Sequence, residues 1–149
     1  MPHSLIQVYG HIIFSTKHRE GSIDVWIENK LFECLSMICY RLDSPALKVG
    51  GYRDHVHILC KLSQQISVDQ LVHELKQRSA RWIRHRHPHY SDFCWQEGYG
   101  AFSVRPQDVD KVQSYIDFQY EFHQQVSFER EFLGFLEKYE IEYDERDVW

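Results

Sequence analysis

The hydrophobic positions change period several times along the chain, and each change marks an element. Residues 4–16 are rich in β-branched and aromatic types, predicting a first strand that contains His11. From Asp24 to Leu42 the spacing becomes three-to-four, through Val25, Ile27, Leu31, Leu35, Ile38 and Leu42. That is an amphipathic helix with Asp24 as its cap, broken by Ser44-Pro45. Two short runs, 46–52 and 54–62, predict a second and a third strand joined as a hairpin. Ser67 then caps a helix to about His85, with the stripe Val68, Leu71, Val72, Leu75, Trp82 and Ile83, and Pro88 ends it. Residues 100–104 predict a fourth strand. Val109, Val112, Tyr115, Ile116, Gln119, Phe122 and His123 give a helix over 108–125, and Ser127 opens a last helix to Tyr139 with Arg130 where a capping box has an acid.

The order strand, helix, strand, strand, helix, strand is that of a ferredoxin-like (RRM-like) α+β fold. It predicts a four-stranded antiparallel sheet with helices on one face and two additional C-terminal helices. The second sheet face is expected to stay open for a ligand or partner. No repeat or linker-like stretch interrupts the 149 residues, so one domain spanning 1–149 is expected, large enough to bury roughly 70% of its unfolded surface.

Composition narrows the class. Apolar residues make up 43% of the chain and aromatics 15%, above any disordered composition, and no apolar run approaches the ~20 residues of a membrane span. The start lacks a secretory signal, so a cytoplasmic protein is expected. Cys34, Cys39, Cys60 and Cys94 form no paired C-x-x-C pattern and read as buried thiols.

The net charge of −5 is unevenly spread. Eight acids and three bases between Glu129 and Trp149 account for all of it, leaving fourteen of each sign elsewhere. Within that neutral body, residues 73–90 carry Lys76, Arg78, Arg81, Arg84 and Arg86 against Glu74 alone, with His85, His87 and His89 beside them. This is either a solvated helix face or a phosphate-binding one. The three histidines abut Pro88 outside any strand and read as basic loop; His11 and His73 have no partner identifiable from sequence, so a core or surface role is the default.

His55-Val56-His57 is the chemical signal. Alternation on a strand turns both imidazoles to one face and the valine to the other, and two imidazoles on one face can share a metal. Gln119, one helical turn after Tyr115, offers an oxygen beside a phenol that could act as nucleophile. A bare His-x-His is also a common structural pair, and an isolated tyrosine is more often core or surface.

The residues themselves carry a resemblance. Asp54-His55-Val56-His57-Ile58-Leu59 resembles the His-hydrophobic-His signature of HUH endonucleases. The segment from Tyr115-Ile116 through Gln119 to His123 resembles the tyrosine motif of their single-tyrosine transposases, the insertion-sequence single-strand (TnpA-like) group. The likeness extends to residues 11–17, 98–104 and 143–146. It implies a metal-dependent nuclease and strand transferase that cleaves and rejoins single-stranded transposon-end DNA through a 5′-phosphotyrosine. By position Tyr115 is then the nucleophile, and His55, His57 and Gln119 hold Mg2+ or Mn2+. His123 and Asp54 are further ligands or orient one. Two departures stand out: Phe122 replaces the first histidine of the closing pair, and Tyr52-Arg53 stand where some relatives place an acid.

The resemblance also implies a partner, single-stranded DNA with a hairpin at the transposon end. It implies a homodimer in which one subunit's tyrosine helix completes the other's histidine site. Lys76, Arg78, Arg81 and Arg84 become candidate DNA contacts, on phosphates along a strand or hairpin stem. The alternative is a catalytically silent or domesticated relative gripping hairpin DNA or RNA, against which the intact His55, His57, Tyr115 and Gln119 count. A His-x-His metal oxygenase or isomerase on a β-barrel is disfavoured, since the long helices leave too few strands to close a barrel.

Overall fold

A computed structural model describes residues 3–149. Four strands, β1 (Tyr9–Ser15), β2 (Ala46–Tyr52), β3 (His55–Lys61) and β4 (Gly100–Val104), form one antiparallel sheet in the order β2-β3-β1-β4. The helices are α1 (Glu28–Arg41), α2 (Val68–Arg84), α3 (Val109–Asp117), α4 (Gln119–Phe122), α5 (Phe128–Lys138) and α6 (Glu145–Val148). This is the α+β architecture the sequence predicts.

Alternation along the central strands sorts the two faces. Ile12, Phe14, Val56, Ile58 and Cys60 point to one side, where Leu31, Leu35 and Ile38 of α1 and Leu71, Leu75 and Ile83 of α2 complete an apolar core. Each such side chain, fully withdrawn from water, contributes about 1.5–3 kcal/mol.

The second face differs from expectation: it is not open. Helix α3 lays Ile116 against Leu59 and Val104, and α5 lays Phe128 and Leu136 against Ile13 and Phe102. Two glycines make these seats. A Cβ on Gly50 would stand 2.7 Å from Ile116 Cγ2, and one on Gly100 2.6 Å from Phe132 Cε1, so each helix comes closer to its strand than any side chain allows.

Three boundaries move. The first strand starts at Tyr9 because its neighbours end there, Tyr9 pairing with Lys61 on one side and Val104 on the other. Helix α1 starts at Glu28; Asp24 instead caps the preceding turn, its Oδ1 accepting from Trp26 N (3.0 Å) and Ile27 N (3.1 Å). The continuous helix expected over 108–125 is divided. Phe118 leaves helical geometry (φ −90°, ψ 10°) and its N–H is shared between Ser114 O (3.1 Å) and Tyr115 O (3.2 Å), separating α3 from the single turn of α4. No helix among the described residues is long and apolar enough to cross a membrane.

Candidate active site

The buried polar groups collect on the second face. Strand β3 turns His55 and His57 into it, both wholly inaccessible, and Val56 into the apolar core. His11 on β1 lies beside them, its Nε2 2.7 Å from His57 Nδ1. From above, α3 supplies Tyr115, α4 supplies Gln119, the residue after α4 is His123, and α5 supplies Glu131. Ser127 fixes the start of α5 by accepting from Arg130 N at 3.2 Å, which sets Glu131 over the histidines.

Three imidazoles aim their Nε2 atoms at one carboxylate oxygen. Glu131 Oε1 lies 3.1 Å from His57 Nε2, 3.1 Å from His123 Nε2 and 3.5 Å from His55 Nε2. Gln119 Oε1 joins them, 2.8 Å from His55 Nε2 and 2.9 Å from His123 Nε2, while its amide N–H donates to Glu131 Oε2 at 2.8 Å. The outer nitrogens are all engaged. His55 Nδ1 donates to Asp54 Oδ1 (2.7 Å), His123 Nδ1 donates to the Val126 carbonyl (2.7 Å), and His57 Nδ1 meets His11.

This arrangement is fit for a cation. With Nδ1 of His55 and His123 committed outward, their Nε2 atoms face inward onto an amide oxygen and a carboxylate oxygen that only accept. Such a convergence needs a proton or a metal ion at its centre. His55, His57, His123 and Glu131 offer four ligand atoms within 4.8 Å of one another, so the cluster could bind one divalent metal.

The protonation states follow from burial and neighbours. Burial lowers His57 to about 4, against the pull of Glu131 that raises it. Burial also holds His11 well below the usual imidazole range, with His57 adding to it. For Glu131 burial works upward but is overcome by hydrogen bonds from His123 and His57, which keep the carboxyl ionised far below its ordinary range. Tyr115 donates its hydroxyl to Glu131 Oε2, and burial together with that carboxylate raises its phenol above the usual tyrosine value.

Of the residues singled out from sequence, His55, His57, Tyr115, Gln119 and His123 meet here, and Asp54 orients His55 from outside the cluster. Tyr115 reaches the histidines of its own chain, its ring centroid 5.8 Å from that of His57. Glu131 and His11 were missed. Glu131 passed as one of the acids of the tail, although it stands three residues after Phe128 and four before Phe135, a carboxylate inside an apolar stripe.

The basic helix lies across the sheet from this site. Lys76 is half-buried and spends its ammonium on the carbonyls of Gln96 (2.7 Å) and Gly98 (2.5 Å), its pKa lowered by burial to about 8. Arg84 Nε donates to Phe93 O at 2.8 Å, and Arg78 pairs with Glu74 at 2.7 Å; Arg81 is exposed. Lys76 and Arg84 therefore pin the 93–98 loop in this structure. Cys39 and Cys60 are buried free thiols; Cys34 and Cys94 are partly exposed.

The family model described as "Transposase IS200 like" matches residues 4–119. The chain belongs to the IS200-like transposase family. In this transposase the matched span holds His55, His57, Tyr115 and Gln119 and stops short of His123 and Glu131. Two solved structures share the fold. One, from Deinococcus radiodurans R1, is described as a candidate transposase; it is 23% identical with a TM-score of 0.62, over 78% of this chain and 94% of that one. The other is a REP-associated tyrosine transposase bound to a REP hairpin, 12% identical with a TM-score of 0.61, over 83% of this chain and 73% of that one. No curated protein matches the chain in sequence.

Proposed function

We propose that this IS200-like transposase cleaves and rejoins single-stranded DNA at transposon ends through a covalent tyrosine link, using Mg2+ or Mn2+ held by His55, His57 and His123, with Gln119 and Glu131 supplying oxygens. The observation that carries the reading is the contact of one carboxylate with both halves of the chemistry. Glu131 Oε1 faces the imidazoles and Oε2 receives the Tyr115 hydroxyl.

Tyr115 Oη attacks phosphorus, the P–O3′ bond breaks, and the products are a 5′-phosphotyrosine and a free 3′-hydroxyl. The phenolic proton passes along its hydrogen bond to Glu131 only as Oη bonds to phosphorus and its own proton affinity collapses, so that even a weakly basic carboxylate accepts it in the transition state. Because burial raises the phenol's pKa, free phenolate is scarce at neutral pH and the acceptor carboxylate is needed. A bound divalent ion would polarise the scissile phosphate and stabilise charge on the leaving oxygen. The phosphotyrosine conserves the bond energy, so a later 3′-hydroxyl can reverse the step without ATP. The hairpin in the REP-associated neighbour supports a hairpin-flanked substrate here too.

Tyr115 meets the histidines of its own chain, which supports a homodimer of two complete sites over one that exchanges helices. Incubation with a labelled single-stranded oligonucleotide carrying the element's end and hairpin, plus Mn2+, should give a denaturation-resistant adduct, and Tyr115→Phe should give none. An adduct with Tyr115→Phe, or none with the native chain on its own ends, would sink the reading. Mixing Tyr115→Phe with His57→Ala should restore no adduct; restoration would establish exchange between subunits.

A further inference from the structure

A cleft of about 840 Å³ opens from Tyr115 between α3, α5 and the end of β4. Its charge runs against that of the chain. Two of the three bases in the acidic C-terminal segment, Arg130 and Lys138, line it, while Glu131 is the single acid of that segment that does. Arg130, Gly134 and Lys138 succeed one another at four-residue intervals along α5, and Lys111 stands one turn before Tyr115 on α3. The cleft's acids are occupied: Glu131 in the histidine cluster, Asp108 with Arg105 at 2.9 Å. Among the described residues Lys111, Arg130 and Lys138 make no ion pair within the chain.

Gly134 points the same way. Glycine is among the least favourable residues in a helix interior, and here nothing in the protein requires it, since a Cβ at 134 would meet no atom within 4 Å. It faces the cleft between two unpaired cations. A missing side chain with no neighbour to accommodate fits the close approach of a backbone that is not the protein's own.

We propose that this cleft is the track of the single strand entering the active site, its phosphodiester backbone crossing α5 over Gly134 between Arg130 and Lys138 to reach Tyr115. The proposal rests on the transposase reading above and names where that substrate lies. Phe135 and Tyr139 line the same cleft as stacking surfaces for unpaired bases. Its volume is that of a small-ligand site, ~300–1,000 Å³, which takes a few nucleotides of one strand and no duplex. The track runs on the sheet face opposite α2, so the strand near the scissile bond is held by α3 and α5, not by Arg78 and Arg81.

Binding is measured separately from cleavage, by fluorescence anisotropy of a labelled oligothymidylate on full-length Tyr115→Phe protein across a salt titration. Arg130→Ala with Lys138→Ala should lower the slope of log affinity against log salt by about 1.4, or about 0.7 per phosphate contact. Gly134→Leu should weaken binding roughly tenfold or more. Gly134→Ala should raise Tm by about 2 °C, showing that the glycine does not serve the helix. Duplex competitor should not displace the strand. An unchanged slope and unchanged Gly134→Leu affinity overturn the track, as does a slope that falls only with Arg78→Ala and Arg81→Ala. Cleft-dependent binding without an adduct from the native chain upholds the track and removes the cleavage reading alone; an adduct with cleft-independent binding does the reverse.

Discussion

The two faces of the sheet are built from the same strands and differ in what alternation delivers to them. One residue carries Val56 to the first face, where it joins the apolar core; the next carries His57 to the second, where it meets His11 and Glu131. The first face is stabilised by withdrawing hydrocarbon from water and tolerates any packing of similar volume. On the second, apolar residues form two small clusters either side of a polar centre, and every buried polar side chain has a partner. An unpaired carboxylate or imidazole there would cost more than a lost apolar contact. The first face thus carries stability alone, whereas the second carries chemistry and stability together.

Glu131→Gln tests the difference most severely. It should reduce single-turnover adduct formation by about 10²–10⁴-fold, the usual worth of a proton acceptor in the transition state, and lower Tm as well, because an amide cannot replace the carboxylate that pairs with His57 and His123. Adduct formation within about threefold of native would reduce Glu131 to a packing residue. Leu35→Ala, on the first face, should lower stability alone. Removing a wholly buried leucine costs about 2–5 kcal/mol in a thermal or denaturant melt, while adduct formation well below the melting range stays close to native. A parallel fall in both would show the faces to be mechanically coupled.

Added Mn2+ at about 100 times its Kd should stabilise the native chain by about 2.7 kcal/mol, a rise in Tm of roughly 5–10 °C. Glu131→Gln should lose most of that rise and Leu35→Ala should keep it, since only one of them touches the cluster. The gentlest comparison uses two matched caps. Ser67 accepts from Gln70 N at 3.0 Å at the start of α2, and Ser127 from Arg130 N at 3.2 Å at the start of α5. Each Ser→Ala should cost about 1 kcal/mol, but only Ser127→Ala should slow adduct formation, because only α5 carries Glu131.

Much of this was legible in the sequence because it is local. Strand β4, the β2–β3 pairing, the cap of α2 and the inward turn of both histidines all follow from period and turn chemistry within a few residues. The cover of the second face was not, because it depends on contacts such as Gly50 with Ile116 and Gly100 with Phe132, far apart in the chain. Gly50-Gly51 looks like the approach to a turn until α3 is seen resting on it. Glu131 was hidden for a similar reason: its partners His57 and Tyr115 lie on β3 and α3, far from it in the chain, and no motif of the sequence includes it. The basic run of α2 is visible as charge, but sequence does not reveal that Lys76 and Arg84 are spent on loop carbonyls.

The glycine seats bear on how copies of this gene should be read across genomes. A copy with any side chain at position 50 drives that residue into Ile116, including its backbone oxygen, 3.1 Å from where the new carbon stands. Tyr115, Gln119 and both strand histidines would still be spelled out in full, and a motif search would score the copy as intact. Its tyrosine helix would nevertheless stand off the sheet. A degenerate copy would therefore be recognised at position 50 as much as at the tyrosine.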